Sequence, residues 1–174
     1  MNIKTVYRFA EKAHKGQKRK YTGEDYIIHP RDVAILVLEH SDWTYDMLYG
    51  ALLHDVVEDT NVTIDGIKKL FGKEVSRIVW GLTDISKHSD GNREARKEID
   101  RMHLAEGDYK IQTIKLADLI NNSESIIKYD ENFAKVYINE KNKLLDVLDK
   151  GDKRLFKMAQ QIITDYYMER KLKW

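Results

Sequence analysis

Apolar residues recur along most of this chain at the three- and four-residue spacing of an amphipathic α-helix. The sequence has one proline and nine glycines, which are too few turn formers for a many-stranded sheet. The chain is therefore predicted to fold as an all-α protein, a compact bundle of helices. The predicted helices cover residues 3–14, 30–40, 45–59, 63–71, 74–84, 93–105, 109–127, 132–148 and 153–171.

Two of the predicted helices have recognisable end signals. Pro30 suits the first turn of a helix that runs to about His40, because a proline lacks the N–H that this turn does not use. The residue before a proline avoids the helical conformation, so His29 is predicted to be extended at the helix entrance. Thr63 and Gly72 are predicted to cap a short helix at its beginning and at its end.

The length and composition favour one globular domain. A chain of 174 residues can bury a substantial core but is short for two domains, so residues 1–174 are predicted to form a single domain. The formal net charge of +1 gives no reason to expect nucleic acid or a membrane as a partner. The sequence has no cysteine, which excludes disulfides and a cysteine nucleophile. No segment resembles a signal peptide or a membrane span, so a cytoplasmic protein is expected, and a homo-oligomer stays open.

The most informative segment is residues 51–60, where four ionisable residues follow an apolar run. If the predicted helix continues through this run, Glu58 neighbours both His54 and Asp55, and Asp59 neighbours Asp55. Charges at the end of a buried segment are costly unless they are compensated. A divalent metal ion is a suitable compensator, because it binds a neutral imidazole and a carboxylate together.

Two other residues are candidate metal ligands. His29 lies at a predicted helix entrance, and Asp118 lies in an otherwise apolar stripe, where a carboxylate needs a partner. Taken alone, His29 could be a capping or loop histidine, and Asp118 could be a buried aspartate paired with Lys115 or an arginine. Combined with His54 and Asp55, they give two imidazoles and two carboxylates, which suit Mn, Fe, Ni or Zn better than Ca or Mg.

Glu58 and Asp59 are not needed as metal ligands. On the same predicted helix face, they are placed to orient or deprotonate a water molecule. A metal that lowers the pKa of bound water and polarises a phosphoryl oxygen would make this a hydrolytic site.

Six segments form an ordered set of motifs: Arg19-Lys20, Gly23-Glu24, Tyr-Ile-Ile-His-Pro at 26–30, Leu-Leu-His-Asp-Val-Val-Glu-Asp-Thr at 52–60, Lys-Leu-Ala-Asp at 115–118, and Asn122. This set resembles the HD superfamily of metal-dependent phosphohydrolases, and within it the hydrolase domain of the RelA/SpoT-type alarmone enzymes. The chain length is similar to that of the single-domain small alarmone hydrolases. The resemblance implies an all-α HD-domain bundle.

The resemblance also implies an activity and a site. The activity is hydrolysis of the 3′-pyrophosphate of guanosine tetra- or pentaphosphate (ppGpp or pppGpp), which leaves GDP or GTP. The implied metal is Mn²⁺, with another divalent transition metal as an alternative. The implied metal ligands are His29, His54, Asp55 and Asp118, and the implied water-activating groups are Glu58 and Asp59. The residues implied to bind the nucleotide are Arg19, Lys20, Asn122 and Ser125.

The chain departs from the family pattern at two positions. The family commonly has a basic residue after the metal-binding aspartate and another shortly after the asparagine, where this chain has Leu119 and Glu124. Each missing cation removes a charge-assisted contact to phosphate. A second hypothesis therefore keeps the metal site but changes the substrate to a deoxynucleotide or a nicotinamide dinucleotide phosphate. A third hypothesis is a non-catalytic domain that binds a nucleotide.

Four basic residues of the helix at 93–105 are expected mostly at the surface, with one or two able to reach phosphate: Arg93, Arg96, Lys97 and Arg101.

Overall fold

The computed structural model describes residues 2–171, and in them it confirms the predicted all-α fold. The described residues contain no strand beyond an isolated bridge between Lys18 and Asp25, and none of their helices has the length and apolarity to cross a membrane. A short 3₁₀ helix lies at His88–Asp90. The α-helices are α1 (Ile3–Ala13), α2 (Ile28–His40), α3 (Tyr45–Leu53), α4 (Val56–Asp59), α5 (Ile64–Phe71), α6 (Lys73–Leu82), α7 (Arg93–Glu106), α8 (Tyr109–Tyr129), α9 (Glu131–Leu145) and α10 (Lys153–Lys171).

Helix α8 is the centre of the bundle. Its residues Ile114, Leu116, Ala117 and Leu119 are completely buried, and α2, α3, α6, α9 and α10 all pack against it. Asp118 lies in the middle of this apolar run and is itself only 6% exposed. The fold therefore places a carboxylate close to the centre of the protein, where it requires polar or charged partners.

A glycine lets α3 pack closely on its neighbours. A Cβ atom at Gly50 would lie 2.5 Å from Cγ2 of Ile78 on α6 and 3.3 Å from Cδ1 of Ile114 on α8. No larger side chain fits between these helices without movement of the surrounding residues. This close approach fixes the end of α3, after which His54 follows.

The predicted cap residues of α5 are confirmed. The hydroxyl oxygen of Thr63 accepts a hydrogen bond from the N–H of Gly66 at 3.1 Å. Gly72 follows the helix with a φ of 93°, a left-handed conformation that favours glycine. The two residues define the beginning and the end of this eight-residue helix.

The predicted entrance to α2 is wrong. The helix begins at Ile28, so His29 is helical and not extended. Two turn hydrogen bonds precede the helix, from the N–H of Ile28 to Asp25 O at 3.1 Å and from the N–H of His29 to Tyr26 O at 3.0 Å. Pro30 is accommodated because the N–H groups of a first helical turn have no partner inside the helix.

A buried carboxylate precedes the last helix. The carboxylate of Asp152 accepts hydrogen bonds from the N–H of Arg154 at 2.8 Å and from the hydroxyl of Tyr109 at 3.0 Å. Burial alone would raise the pKa of Asp152, but the bonds from Arg154 and Tyr109 outweigh it and lower the pKa to about 2. The ionised carboxylate thus ties the beginning of α10 to the beginning of α8.

Candidate functional site

The structure brings the four predicted metal ligands together. One ligand atom each from His29, His54 and Asp55 lies within 4.8 Å of the others. The Oδ1 atom of Asp118 lies 3.3 Å from Nε2 of His29 and 3.9 Å from Nε2 of His54. The site therefore combines the first turn of α2, the end of α3 and the middle of α8.

A helix break lets two consecutive residues reach the same point. The sequence predicted one helix over 45–59, but the structure divides it into α3 and α4 at His54 and Asp55. Consecutive residues on a regular helix do not face each other, so a continuous helix would direct these side chains apart. At the break, Asp55 has φ −93° and ψ −8°, and its Oδ2 lies 3.1 Å from Nε2 of His54. This sparsely populated backbone region is common for active-site residues.

The hydrogen bonds of the two histidines leave both Nε2 atoms free to bind a cation. Nδ1 of His54 donates to the carbonyl oxygen of Ala51 at 2.8 Å, and Nδ1 of His29 lies 2.6 Å from Oδ1 of Asn121. With the proton on Nδ1, each neutral ring has its lone pair on Nε2. These two Nε2 atoms are 3.2 Å apart, a separation at which lone pairs repel unless a cation lies between them. The donor set fits a divalent metal ion.

The carboxylates of the site favour a cation in the same place. Burial lowers the pKa of His29, but Asp118 and Asp55 outweigh it and raise the pKa to about 9. Burial raises the pKa of Asp118, but the charge of Lys115, whose Nζ lies 2.9 Å from Oδ2, and His29 lower it well below its usual range. Of the two partners considered for Asp118, Lys115 is the one present, and this pair coexists with the contacts to the histidines. Protons and metal ions compete for such a site, since both bind the same lone pairs.

Tyr26 and Asn121, which were not predicted as site residues, position the candidate ligands. The hydroxyl of Tyr26 donates to Oδ2 of Asp55 at 2.6 Å, and Asn121 accepts from His29 as described above. Tyr26 lies three residues before His29 and Asn121 three residues after Asp118, so each lies within one helical turn of a candidate ligand. Their proximity in sequence was an available signal, but their contacts depend on the tertiary fold.

Glu58 and Asp59 lie on the single turn of α4 that follows the helix break. Oε1 of Glu58 accepts a hydrogen bond from the N–H of Asp84 at 2.8 Å. Both residues are exposed, but the surrounding protein and the charge of Asp84 raise the pKa of Glu58 to about 7, despite the opposing charge of Lys115. The surrounding protein and Asp55 also raise the pKa of Asp59. A cavity of about 580 Å³ opens beside Glu58 and Asp59, so a carboxylate able to accept a proton near neutral pH faces open space.

Three of the four predicted nucleotide-binding residues form one group, in which Arg19 contacts the other two. Its Nη1 donates to Oδ1 of Asn122 at 2.9 Å, and its Nη2 lies 3.5 Å from Oγ of Ser125. Nδ2 of Asn122 donates in turn to Oδ1 of Asp118 at 2.6 Å. This group is therefore connected directly to a candidate metal ligand. Arg19, Ser125 and His29 line a cavity of about 200 Å³.

The fourth predicted nucleotide-binding residue lies apart from this group. Nζ of Lys20 lies 3.1 Å from Oη of Tyr21 and 3.4 Å from Oδ2 of Asp130. The two departures from the family pattern also differ in setting. Leu119 is fully buried in the core, whereas Glu124 lines the 200 Å³ cavity together with Arg19.

The sequence and the fold are both similar to those of known proteins. The sequence matches the HD-domain family over residues 7–143. It is 35% identical over 138 residues to the guanosine-3′,5′-bis(diphosphate) 3′-pyrophosphohydrolase of Aquifex aeolicus, covering 79% of this chain and 20% of that protein. It is 36% identical over 127 residues to the bifunctional (p)ppGpp synthase/hydrolase SpoT of Escherichia coli, covering 71% of this chain and 18% of that protein. The chain thus spans about a fifth of the length of these curated relatives.

A solved structure is similar over nearly its full length. It is described as a metazoan ortholog of SpoT that hydrolyzes ppGpp and plays a role in starvation responses. The TM-score is 0.84 at 25% sequence identity, and the match covers 94% of each chain. The similarity therefore extends over nearly the whole helical bundle.

Proposed function

The chain belongs to the HD-domain family, and we propose from this that it is a divalent-metal-dependent hydrolase that removes the 3′-pyrophosphate of ppGpp or pppGpp. The observation that supports this proposal most strongly is the convergence of two imidazoles and two carboxylates beside Glu58, Asp59 and the group around Arg19. The activities of the similar Aquifex and metazoan proteins support the same substrate.

We propose Mn²⁺ as the metal, held by His29, His54, Asp55 and Asp118. The facing Nε2 atoms and the ionised carboxylates described above support these four residues as ligands, although other divalent transition metals suit the same donor set. When bound, the metal supplies a water of lowered pKa and a Lewis acid for a phosphoryl oxygen. Tyr26 and Asn121 hold Asp55 and His29 in orientation for this role.

Glu58 and Asp59 are the proposed water-activating groups. Water gives up a proton and adds to the phosphorus that carries the 3′ oxygen. The bond between this phosphorus and the 3′ oxygen breaks, and the 3′ oxygen takes up a proton. Pyrophosphate and GDP or GTP are the products. Glu58 is the better candidate for the base, because a pKa of about 7 allows it to accept a proton and release it again at neutral pH.

Arg19, Asn122 and Ser125 are the proposed contacts to the nucleoside. The guanidinium of Arg19 is held by Asn122 and Ser125, which fixes its plane for stacking on the base or for hydrogen bonding to it. Nucleotide binding by Lys20 remains a prediction, since its ammonium would have to leave Tyr21 and Asp130 to contact the nucleotide.

A different nucleotide substrate is the second candidate. The observation that favours it is the carboxylate of Glu124 in the cavity lined by Arg19, because a negative charge there disfavours the additional 3′-pyrophosphate, which ppGpp carries and a deoxynucleotide or NADPH lacks. A deoxynucleotide or a nicotinamide dinucleotide phosphate would use the same metal chemistry. A domain that binds a nucleotide without turnover would keep the contacts of Arg19 but not require the metal site.

A nucleotide panel distinguishes these candidates. The metal-stripped protein is resupplied with Mn²⁺ and incubated with ppGpp, deoxynucleoside triphosphates and NADPH, with Asp55→Ala as the control. Turnover of ppGpp alone, lost in the control, is the expected result. Turnover of another nucleotide only would establish the second candidate, and equal behaviour of the two proteins would reject both.

A further inference from the structure

Three lysines from three helices interact with the charges of Asp84 and the candidate metal ligand Asp118. Lys97 comes from α7, Lys115 from α8 and Lys141 from α9. Two of them are neutralised by close carboxylates. Nζ of Lys115 lies 2.9 Å from Oδ2 of Asp118, and Nζ of Lys97 lies 2.6 Å from Oδ2 of Asp84.

The third lysine has no such partner. Within residues 2–171, Lys141 makes no hydrogen bond or ion pair, and its ammonium lies 5.0 Å from the ring centroid of Tyr137. Tyr137 is one helical turn before Lys141, and its hydroxyl lies 3.4 Å from the carbonyl oxygen of Leu119, the residue after Asp118. The unpaired ammonium therefore lies over a ring that packs against α8 beside a candidate metal ligand.

The electrostatic environment of Lys141 is unfavourable for an isolated ammonium. Burial lowers its pKa, and the charges of Lys115 and Lys97 outweigh those of Asp118 and Asp84, so that the pKa falls to about 8. A half-buried cation among other cations is costly unless an anion compensates it. The described residues supply carboxylates for the other two lysines but not for this one.

We propose that Lys141 binds the 3′-pyrophosphate of the substrate and holds it against the metal site. The assignment rests on the proposed function, since the anion that Lys141 binds is part of the substrate proposed above. It also accounts for a departure in the sequence. Leu119 is in the core and Glu124 is acidic, and Lys141 supplies a positive charge from a different helix.

A pair of variants on one helix tests the role of Lys141. Lys141→Met removes the ammonium and keeps the aliphatic contact. Lys143→Met is the matched control, because Lys143 lies two residues away on α9 and contacts the exposed Glu94 at 3.3 Å. Lys141→Arg keeps a positive charge at the same position.

Binding of inorganic pyrophosphate to the Mn²⁺-loaded proteins is measured by isothermal titration calorimetry, and KM for ppGpp is measured in parallel. We expect Lys141→Met to weaken pyrophosphate binding and to raise KM by about tenfold, the usual effect of losing one charge-assisted contact. Inhibition by GDP, which lacks the 3′-pyrophosphate, should change by less than about twofold. Lys143→Met should match the wild type, and Lys141→Arg should retain most of the binding.

The titration separates this proposal from the proposed function. If the wild type binds pyrophosphate through Lys141 but leaves ppGpp intact, the substrate is wrong and the anion site stands. If Lys141→Met binds pyrophosphate as well as the wild type, or as well as Lys143→Met, the role of Lys141 is rejected even when ppGpp is hydrolysed. Weak binding by the wild type itself also rejects it.

The pH dependence gives a second readout. Above pH 8 the ammonium of free Lys141 loses its proton, so pyrophosphate binding by the wild type should weaken relative to Lys141→Arg, whose guanidinium stays charged. A constant ratio between the two proteins from pH 7 to pH 9 would contradict the assignment. The groups whose charges act on Lys141 are Lys97, Asp84, Lys115 and Asp118, and these are the same in both proteins.

Discussion

Replacing Tyr26 by phenylalanine tests whether the second layer of residues positions the metal ligands. The change removes one hydroxyl, which donates to Oδ2 of Asp55 at 2.6 Å, and keeps the ring that packs on His14 and His29. Burial and the charge of Asp55 raise the pKa of Tyr26, so the hydroxyl remains a donor at every pH at which the protein is assayed. A hydrogen bond to a charged group contributes about 1.5–3 kcal/mol, which corresponds to roughly ten- to hundredfold in affinity.

We therefore expect Tyr26→Phe to lower the affinity for Mn²⁺ by about ten- to hundredfold, in the range known for residues behind metal ligands. Turnover should recover at saturating Mn²⁺, since none of the proposed ligands or bases has changed. Calorimetric titration of Mn²⁺ into the metal-stripped protein measures the affinity directly. Tyr21→Phe is the matched control, because the hydroxyl of Tyr21 donates to Asp130 at 2.9 Å, which is not one of the proposed metal ligands. An unchanged affinity in Tyr26→Phe, or an equal loss in Tyr21→Phe, would refute the reasoning.

Three further predictions have distinct expected results. Asp118→Asn should lower metal content measured by mass spectrometry, whereas Glu58→Gln should keep the metal and lower kcat by about 10²–10⁴-fold; equal loss of metal in both would contradict the division between ligands and base. Gly50→Ala should lower the free energy of unfolding in urea by about 1–3 kcal/mol, while Gly66→Ala, whose Cβ would have contacts no closer than 3.4 Å, should be neutral or slightly stabilising. The folded-state pKa of Asp152 lies below its unfolded value, so its contribution to stability is present above about pH 4 and is lost as the pH falls towards 2. The stability difference between wild type and Asp152→Asn in urea unfolding should therefore shrink from pH 6 to pH 3, and a constant difference would contradict this origin.

The sequence predicted the helices most accurately where local chemistry determines their ends. Thr63 caps α5 with its side chain, and Gly72 ends the helix with a backbone conformation that favours glycine; the structure has both. The break at His54 and Asp55 was not predictable in this way, because the apolar pattern continues through Val56 and the local signal favours one helix. The break lets the side chains of His54 and Asp55 converge on one point. The candidate metal site requires this convergence, and nothing in the local helix pattern signals it.

The candidate site could be predicted in part from the sequence. Ionisable residues next to apolar runs, such as Asp118, stand out because burial of a charge needs compensation. Tyr26 and Lys141 did not stand out, since a tyrosine and a lysine at partly exposed positions are ordinary in composition. Their significance comes from contacts in the folded protein: Tyr26 bonds to Asp55 across the bundle, and Lys141 lies over the ring of Tyr137, one turn earlier on the same helix.

The most direct test of the account is a product analysis of ppGpp incubated with the metal-stripped protein before and after addition of Mn²⁺. Phosphorus NMR distinguishes pyrophosphate, orthophosphate and the remaining nucleotide in one spectrum. We expect GDP and pyrophosphate in equal amounts, formed only after Mn²⁺ is added. Orthophosphate as the main product, or intact ppGpp with a fully loaded metal site, would contradict it.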